Sequence, residues 1–132
     1  ADDLPLIKAD KESLKHALRN LLENAVKHGR KEHASIRITA DRSALQGKPA
    51  VRLGIQDNGP GIPKEERARV FEPFFRGKLA IENQVHGTGL GLNLAKRIIE
   101  AHGGILMLQS ELGRGTQFIA TIPAACKNDT SE

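Results

Sequence analysis

The chain has 132 residues, 39% of them hydrophobic, with four Phe and neither Trp nor Tyr, which suits one domain with a mainly aliphatic core. Its 20 basic and 16 acidic side chains give a net charge of +4 without a long basic tract; with no Tyr or Trp to stack on bases, no nucleic-acid partner is expected, whereas a nucleotide's phosphates suit this mild bias. No run approaches the roughly 18 apolar residues of a membrane span, no basic stretch leads into an apolar one at the start, and the single cysteine, Cys126, excludes an internal disulfide or thiolate metal cluster.

Ala1 is an uncommon natural first residue, which leaves room for a span or domain upstream. Residues 1 to 9 read as an irregular or short extended lead-in whose Leu4, Leu6 and Ile7 can dock on a core. Asp10 is a candidate N-cap, and Glu12 puts negative charge in the first turn. Leu14, Ala17, Leu18, Leu21, Leu22, Ala25 and Val26 recur at helical spacing, which predicts a long amphipathic helix ending near His28 and Gly29. Beside that face, Asn20, Asn24 and Lys27 form one stripe. Asn is a mediocre helix former. Two of them in a strong helix fit either ordinary surface composition or a site, in which Asn24 offers a carbonyl oxygen to a hard cation and Lys27 a point charge to a phosphate.

Residues 35 to 40 (SIRITA) read as a strand, 41 to 49 as a turn-rich connection holding Gly47 and Pro49, and 51 to 57 as a second strand with Val51, Leu53 and Ile55 on one face. The two make an antiparallel pair. Residues 58 to 63 (NGPGIP) are too rich in turn formers to continue a sheet, so Asp57 is presented beside a loop whose backbone can approach a flat ligand closely. Asp-Asn-Gly is equally an ordinary turn signal. Residues 64 to 70 predict a short helix with Pro63 at its start. Phe71, Phe74 and Phe75 then surround Pro73 and can hold a loop, and residues 77 to 86, without a clear period, read as a mobile segment.

GTGLGL (87 to 92) runs straight into a helix marked by Leu94, Ala95, Ile98, Ile99 and Ala101, as far as His102. Such a turn leaves backbone N–H groups at the positive end of the helix dipole, where phosphate is accepted. It is not the dinucleotide fingerprint, since no strand precedes it and no ribose-binding acid follows, and no G-x-x-x-x-G-K-[ST] loop is present. Residues 104 to 110 and 116 to 122 predict a hairpin turning through Gly113 and Gly115. The Thr116 hydroxyl can reach a polar ligand atom or serve the turn. One domain over 1 to 123 and a polar tail over 124 to 132 are expected.

This order predicts an α/β fold: a two-layer sandwich with helices packed on one face of a mixed, mostly antiparallel sheet. NLLENAVKHG (20 to 29), DNGPGIP (57 to 63), FEPFF (71 to 75), GTGLGL (87 to 92) and GRGTQF (113 to 118) together resemble the Bergerat-type ATP-binding family of sensor histidine kinases, DNA gyrase, heat-shock protein 90 and mismatch-repair ATPases. The boxes are nearest those of the catalytic domain of bacterial two-component sensor histidine kinases. The resemblance implies the cofactors ATP and Mg²⁺. It implies that Asp57 accepts a hydrogen bond from the adenine amine, with Thr116 nearby, directly or through water, with Gly59, Gly61 and Ile62 around the base and Gly61 letting it in. It makes Asn24 the Mg²⁺ ligand and sets Asn20, Lys27 and Arg76 against the phosphates, with Asn24, Asn20 and Lys27 as the catalytic set. Phe74, Gly87, Thr88, Gly89, Leu90, Gly91 and Leu92 complete the nucleotide site, and residues 77 to 91 form a lid anchored by Phe71, Phe74 and Phe75.

Gyrase-like relatives carry a glutamate one helical turn before the metal-binding asparagine; here that residue is Asn20, which cannot take a proton, and Glu23 points about 100° away from Asn24 around the helix. Kinase chemistry therefore fits better than hydrolysis. His16, His28, His33, His86 and His102 lie in no phosphoacceptor pattern and lack metal-ligand spacing. The resemblance thus implies an acceptor histidine on the dimerisation domain of the same kinase, a cognate response regulator, a dimeric parent and a monomeric isolated domain. A cytoplasmic domain is implied, with the parent either soluble or anchored in the bacterial inner membrane. The alternatives are a protein serine kinase of the anti-sigma type and a degenerate nucleotide-binding or docking module.

Overall fold

The computed structural model of the chain describes residues 11–28, 35–72 and 91–124. In chain order they form α1 (Lys11–His28), β1 (Ile36–Leu45), β2 (Lys48–Asp57), a single 3-10 turn (Lys64–Glu66), α2 (Gly91–Ala101), β3 (Ile105–Glu111) and β4 (Gly115–Pro123). The strands make one sheet in the order β1-β2-β4-β3, and every pairing in it is antiparallel.

Leu14, Ala17, Leu21 and Ala25 are the buried stripe of α1, with Leu18 and Leu22 packed beside them. Val26, one residue further round the helix, is exposed and not part of the stripe. In α2 the buried positions are Ala95 and Ile99. The helix stops where Gly104 N–H reaches the Ile99 carbonyl at 3.0 Å and Gly103 N–H the Glu100 carbonyl at 2.9 Å. The helices pack on each other, α1 over β2 and α2 over β3. Beneath them the sheet presents three apolar rows: Val51, Leu53 and Ile55 of β2 face Ile122, Ala120 and Phe118 of β4, which face Leu106 and Leu108 of β3. Helices on one face of an antiparallel sheet are the two-layer architecture expected from the sequence.

Two elements differ from the sequence reading. The connection predicted over 41 to 49 is itself strand, and the turn shrinks to Gln46 and Gly47, with φ of 52° and 77°. Positive φ at both central residues matches the right-handed twist of the strands. Pro49 does not break the ladder because its carbonyl accepts Ala124 N–H at 2.9 Å. A strand residue's N–H and C=O point to the same side, so the missing donor falls on the β4 side and leaves the β1–β2 pairing intact.

The helix predicted over 64 to 70 is only one 3-10 turn followed by further turns. Its bonds run i to i+3, as from Glu66 N–H to Pro63 O (2.9 Å) and Arg69 N–H to Glu66 O (2.9 Å). Val70 is the buried residue of this segment, and one anchor gives no face for an α-helix to bury.

Candidate nucleotide site

Side chains two apart along a strand share a face. Extending the three apolar rows by one such step gives Asp57 after Ile55, Thr116 before Phe118 and Ser110 after Leu108. Ser110 is the direct cross-strand partner of Thr116, and the β2–β4 ladder ends at Gln56 and Gln117, one step from both Asp57 and Thr116. The core therefore ends in three polar side chains at one end of the sheet.

Asp57 is 4% exposed and Thr116 6%. The Asp57 carboxylate is oriented by its own loop and by the far hairpin: Oδ1 accepts Gly59 N–H at 2.8 Å and Thr116 N–H at 3.3 Å. Such bonds offset the desolvation of a buried charge. Gly59 thus orients Asp57 through its amide.

Loop 58 to 62 is fastened along the β3–β4 turn. Pro60 O accepts Gly113 N–H at 2.8 Å, and Ile62 N–H donates to Ser110 Oγ at 2.8 Å. Arg67 Nε donates to Ile62 O at 3.0 Å. Gly61 is buried with φ of 82°, and a Cβ there would stand 2.5 Å from the Glu111 carbonyl oxygen. At Gly115, with φ of 115°, a Cβ would run into the carbonyl oxygen of Asp57. Both glycines are required by backbone contact between loop and hairpin.

Ser110 has no role in the sequence reading, yet it bonds Ile62, Gly115 and Thr116. Its only sequence signal is the alternation from Leu106 and Leu108, which assigns its face and not its partners.

The other predicted group lies where the helices meet. Gly91 opens α2 against α1, so that a Cβ on it would stand 3.9 Å from Cβ and Cγ of Asn20. Asn20 Nδ2 is buried without a hydrogen-bond partner. An unsatisfied buried donor is costly, and one at the positive end of a helix suits an anionic acceptor. Asn24 is half-buried one turn further along α1, Lys27 is exposed, and Leu92 packs against the core. Phe71 meets Phe118 edge-on with centroids 6.0 Å apart, carries Lys96 Nζ 5.6 Å over its ring, and accepts Asn93 Nδ2 on its carbonyl at 3.0 Å. Phe74, Phe75, Arg76, Gly87, Thr88, Gly89 and Leu90, with residues 77 to 90 of the expected lid, lie outside the described residues, whereas Gly91, the last lid residue expected, is the first residue of α2.

The profile of the family described as histidine kinase-, DNA gyrase B-, and HSP90-like ATPase matches residues 9–125. The chain belongs to this ATPase family. Among its relatives in the family, the alginate biosynthesis sensor protein KinB of Pseudomonas aeruginosa is 36% identical over 122 residues, covering 92% of this chain and 19% of KinB. The adaptive-response sensory kinase SasA of Synechocystis is 40% identical over 121 residues, covering 92% of this chain and 30% of SasA. Among solved structures, the mycobacterial sensor histidine kinase MprB superposes with a TM-score of 0.76 at 29% identity, covering 89% of this chain and 76% of that one. Full-length ShkA in complex with AMPPNP gives 0.73 at 38% identity, covering 92% of this chain and 24% of that one.

Within the family the chain is thus an ATP-binding catalytic domain of the sensor histidine kinase type, and it spans 19% and 30% of the lengths of KinB and SasA. No described helix is long and apolar enough to cross a membrane. The family's usual ligands are ATP and Mg²⁺, and the described residues fit both. The orphaned Asn20 donor suits phosphate. The carboxamide oxygen of Asn24 suits a hard cation that keeps most of its shell as phosphate oxygens and water.

Proposed function

We propose that this domain holds Mg-ATP for transfer of the γ-phosphoryl group to a histidine on the dimerisation domain of the same kinase, from which a cognate response regulator receives it. The parent kinase is dimeric and the domain works from the cytoplasm, whether or not the parent is anchored in the inner membrane. The observation that carries this reading is the Asp57 carboxylate, buried at the end of β2 and oriented by Gly59 and Thr116 N–H groups. A fixed acceptor at the end of an apolar layer matches the exocyclic amine of adenine.

Asp57 and Thr116 orient the base, and Gly61 and Ile62 hold the loop beside it. Asn20 Nδ2 and the N–H groups that open α2 meet phosphate oxygens, with Lys27 and Arg76 adding positive charge. Asn24 would hold Mg²⁺, which when bound neutralises charge on the phosphates. In the transfer, the acceptor imidazole nitrogen forms the new bond to phosphorus as the bond to the bridging oxygen of ADP breaks. The chain's part is alignment and charge neutralisation. Asn20 occupies the position from which a carboxylate would deprotonate water, and an amide cannot do so, which favours transfer over hydrolysis.

Calorimetric titration with a non-hydrolysable ATP analogue, with and without Mg²⁺ and beside a GTP analogue, tests this. Binding selective for adenine and tightened by Mg²⁺ is expected. A folded sample that binds neither nucleotide would overturn it.

A further inference from the structure

Ser110 Oγ stands 2.8 Å from Ile62 N, 3.0 Å from the Gly115 carbonyl oxygen and 3.0 Å from Thr116 Oγ1. A hydroxyl carries one proton and two lone pairs. The Ile62 amide can only donate and the Gly115 carbonyl can only accept. These two contacts commit Ser110: one lone pair takes the Ile62 proton, and its own proton goes to Gly115. The third contact is then a hydrogen bond only if Thr116 donates its hydroxyl proton to the remaining lone pair of Ser110. In the reverse arrangement, with Ser110 donating to Thr116, the Gly115 oxygen would face a lone pair at 3.0 Å.

We infer that Ser110 sets the polarity of the Thr116 hydroxyl and through it the nucleotide selectivity of the site. With its proton held by Ser110, Thr116 Oγ1 offers only lone pairs elsewhere. Its backbone N–H is bonded to Asp57 Oδ1 at 3.3 Å, so the residue sits against the carboxylate, and both side chains then offer only lone pairs. Such a pair receives the C6 amine of adenine. It repels the C6 carbonyl of guanine, which presents lone pairs at the same place. A bridging water would be turned the same way, with one of its protons directed to Thr116. Ser110 reaches the base only through Thr116 and the 58 to 62 loop, so it is a positioning residue. The inference rests on the nucleotide reading given above.

The test compares dissociation constants for ADP and GDP, with thermal midpoints alongside, in the wild-type domain and in Ser110→Ala, Ser110→Thr and Ser110→Val. Wild type and Ser110→Thr should keep the preference for ADP. In Ser110→Ala and Ser110→Val the freed Thr116 proton can turn toward the guanine carbonyl, so the GDP-to-ADP ratio should narrow about tenfold, the contribution of one hydrogen bond. Thr and Val have nearly the same shape, so any packing cost at position 110 cancels between them. A purely structural Ser110 would weaken both nucleotides alike, and an unmoved ratio with ADP still bound would overturn this inference alone. A folded wild type that binds neither nucleotide would overturn the nucleotide reading itself, and this inference with it. In the unmutated protein, nuclear magnetic resonance should show a slowly exchanging Thr116 hydroxyl proton close to Ser110; a Thr116 hydroxyl in free exchange would count against the proposal without any variant.

Discussion

In Asp57→Asn one carboxylate oxygen becomes an amide nitrogen while the shape of the side chain is kept. The amide retains an oxygen for Gly59 N–H at 2.8 Å and Thr116 N–H at 3.3 Å, so the loop and the start of β4 keep their tether. Two effects on the free protein oppose each other: these bonds lose their ionic character, and a carboxylate only 4% exposed no longer has to be desolvated. The thermal midpoint should stay within about 5 °C, the shift that about 1 kcal/mol produces in a domain of this size. Toward the base the change is one-sided, because the acceptor proposed for the adenine amine becomes a donor. A hydrogen bond to a charged group contributes about 1.5 to 3 kcal/mol, so the dissociation constant for adenine nucleotide should rise about 10- to 150-fold. Titration calorimetry on a variant shown by scanning calorimetry to be folded measures this directly. Wild-type affinity in the folded variant would refute the assignment of Asp57 to the base.

Asn20→Leu should stabilise the nucleotide-free domain by about 1 kcal/mol, and so raise its midpoint, by removing a buried donor that has no partner, while reducing the stabilisation that saturating nucleotide confers. Paired melts with and without an ATP analogue check this, and a variant stabilised by nucleotide as much as wild type would take Asn20 off the phosphates. Gly61→Ala should lower the free energy of unfolding in urea by about 2 kcal/mol or more, since the left-handed backbone alone costs an L-residue about 1 to 2 kcal/mol and the new Cβ meets the Glu111 carbonyl. A loss below about 0.5 kcal/mol would mean that the loop does not seat on the hairpin. Asn24→Ala should erase most of the Mg²⁺-dependent gain in nucleotide affinity with little change in melting, and should slow phosphotransfer in the full kinase. An undiminished Mg²⁺ effect would remove Asn24 from the metal.

The helices could be read from the sequence because their buried residues recur within one element: Leu14, Ala17, Leu21 and Ala25 need only each other's spacing. Asp57 was likewise legible, at the point where alternation stops and turn formers begin. Pro49 and Gly47 misled, because punctuation marks only that something turns nearby; the effect of Pro49 depends on which side of the strand lacks a donor, and Ala124 decides that. Lys64 to Val70 has good helix formers, but local propensity was overridden by the absence of an apolar face to bury. Two features of the site depend on contacts that no local pattern encodes. Ser110 bonds Ile62, 48 residues away, and Asn20, whose amide is buried without a partner, comes up against Gly91 only through the packing of α2 on α1.

The bond from Thr116 N–H to Asp57 joins residues 59 positions apart, and this separation has a consequence during synthesis. At roughly 5 to 20 residues per second, the carboxylate leaves the ribosome about 3 to 12 s before the strand that orients it. Throughout that interval Asp57 has Gly59 N–H beside it but lacks the Thr116 N–H that completes its orientation. A ligand that needs the oriented carboxylate would therefore stabilise only those chains whose late hairpin has already docked.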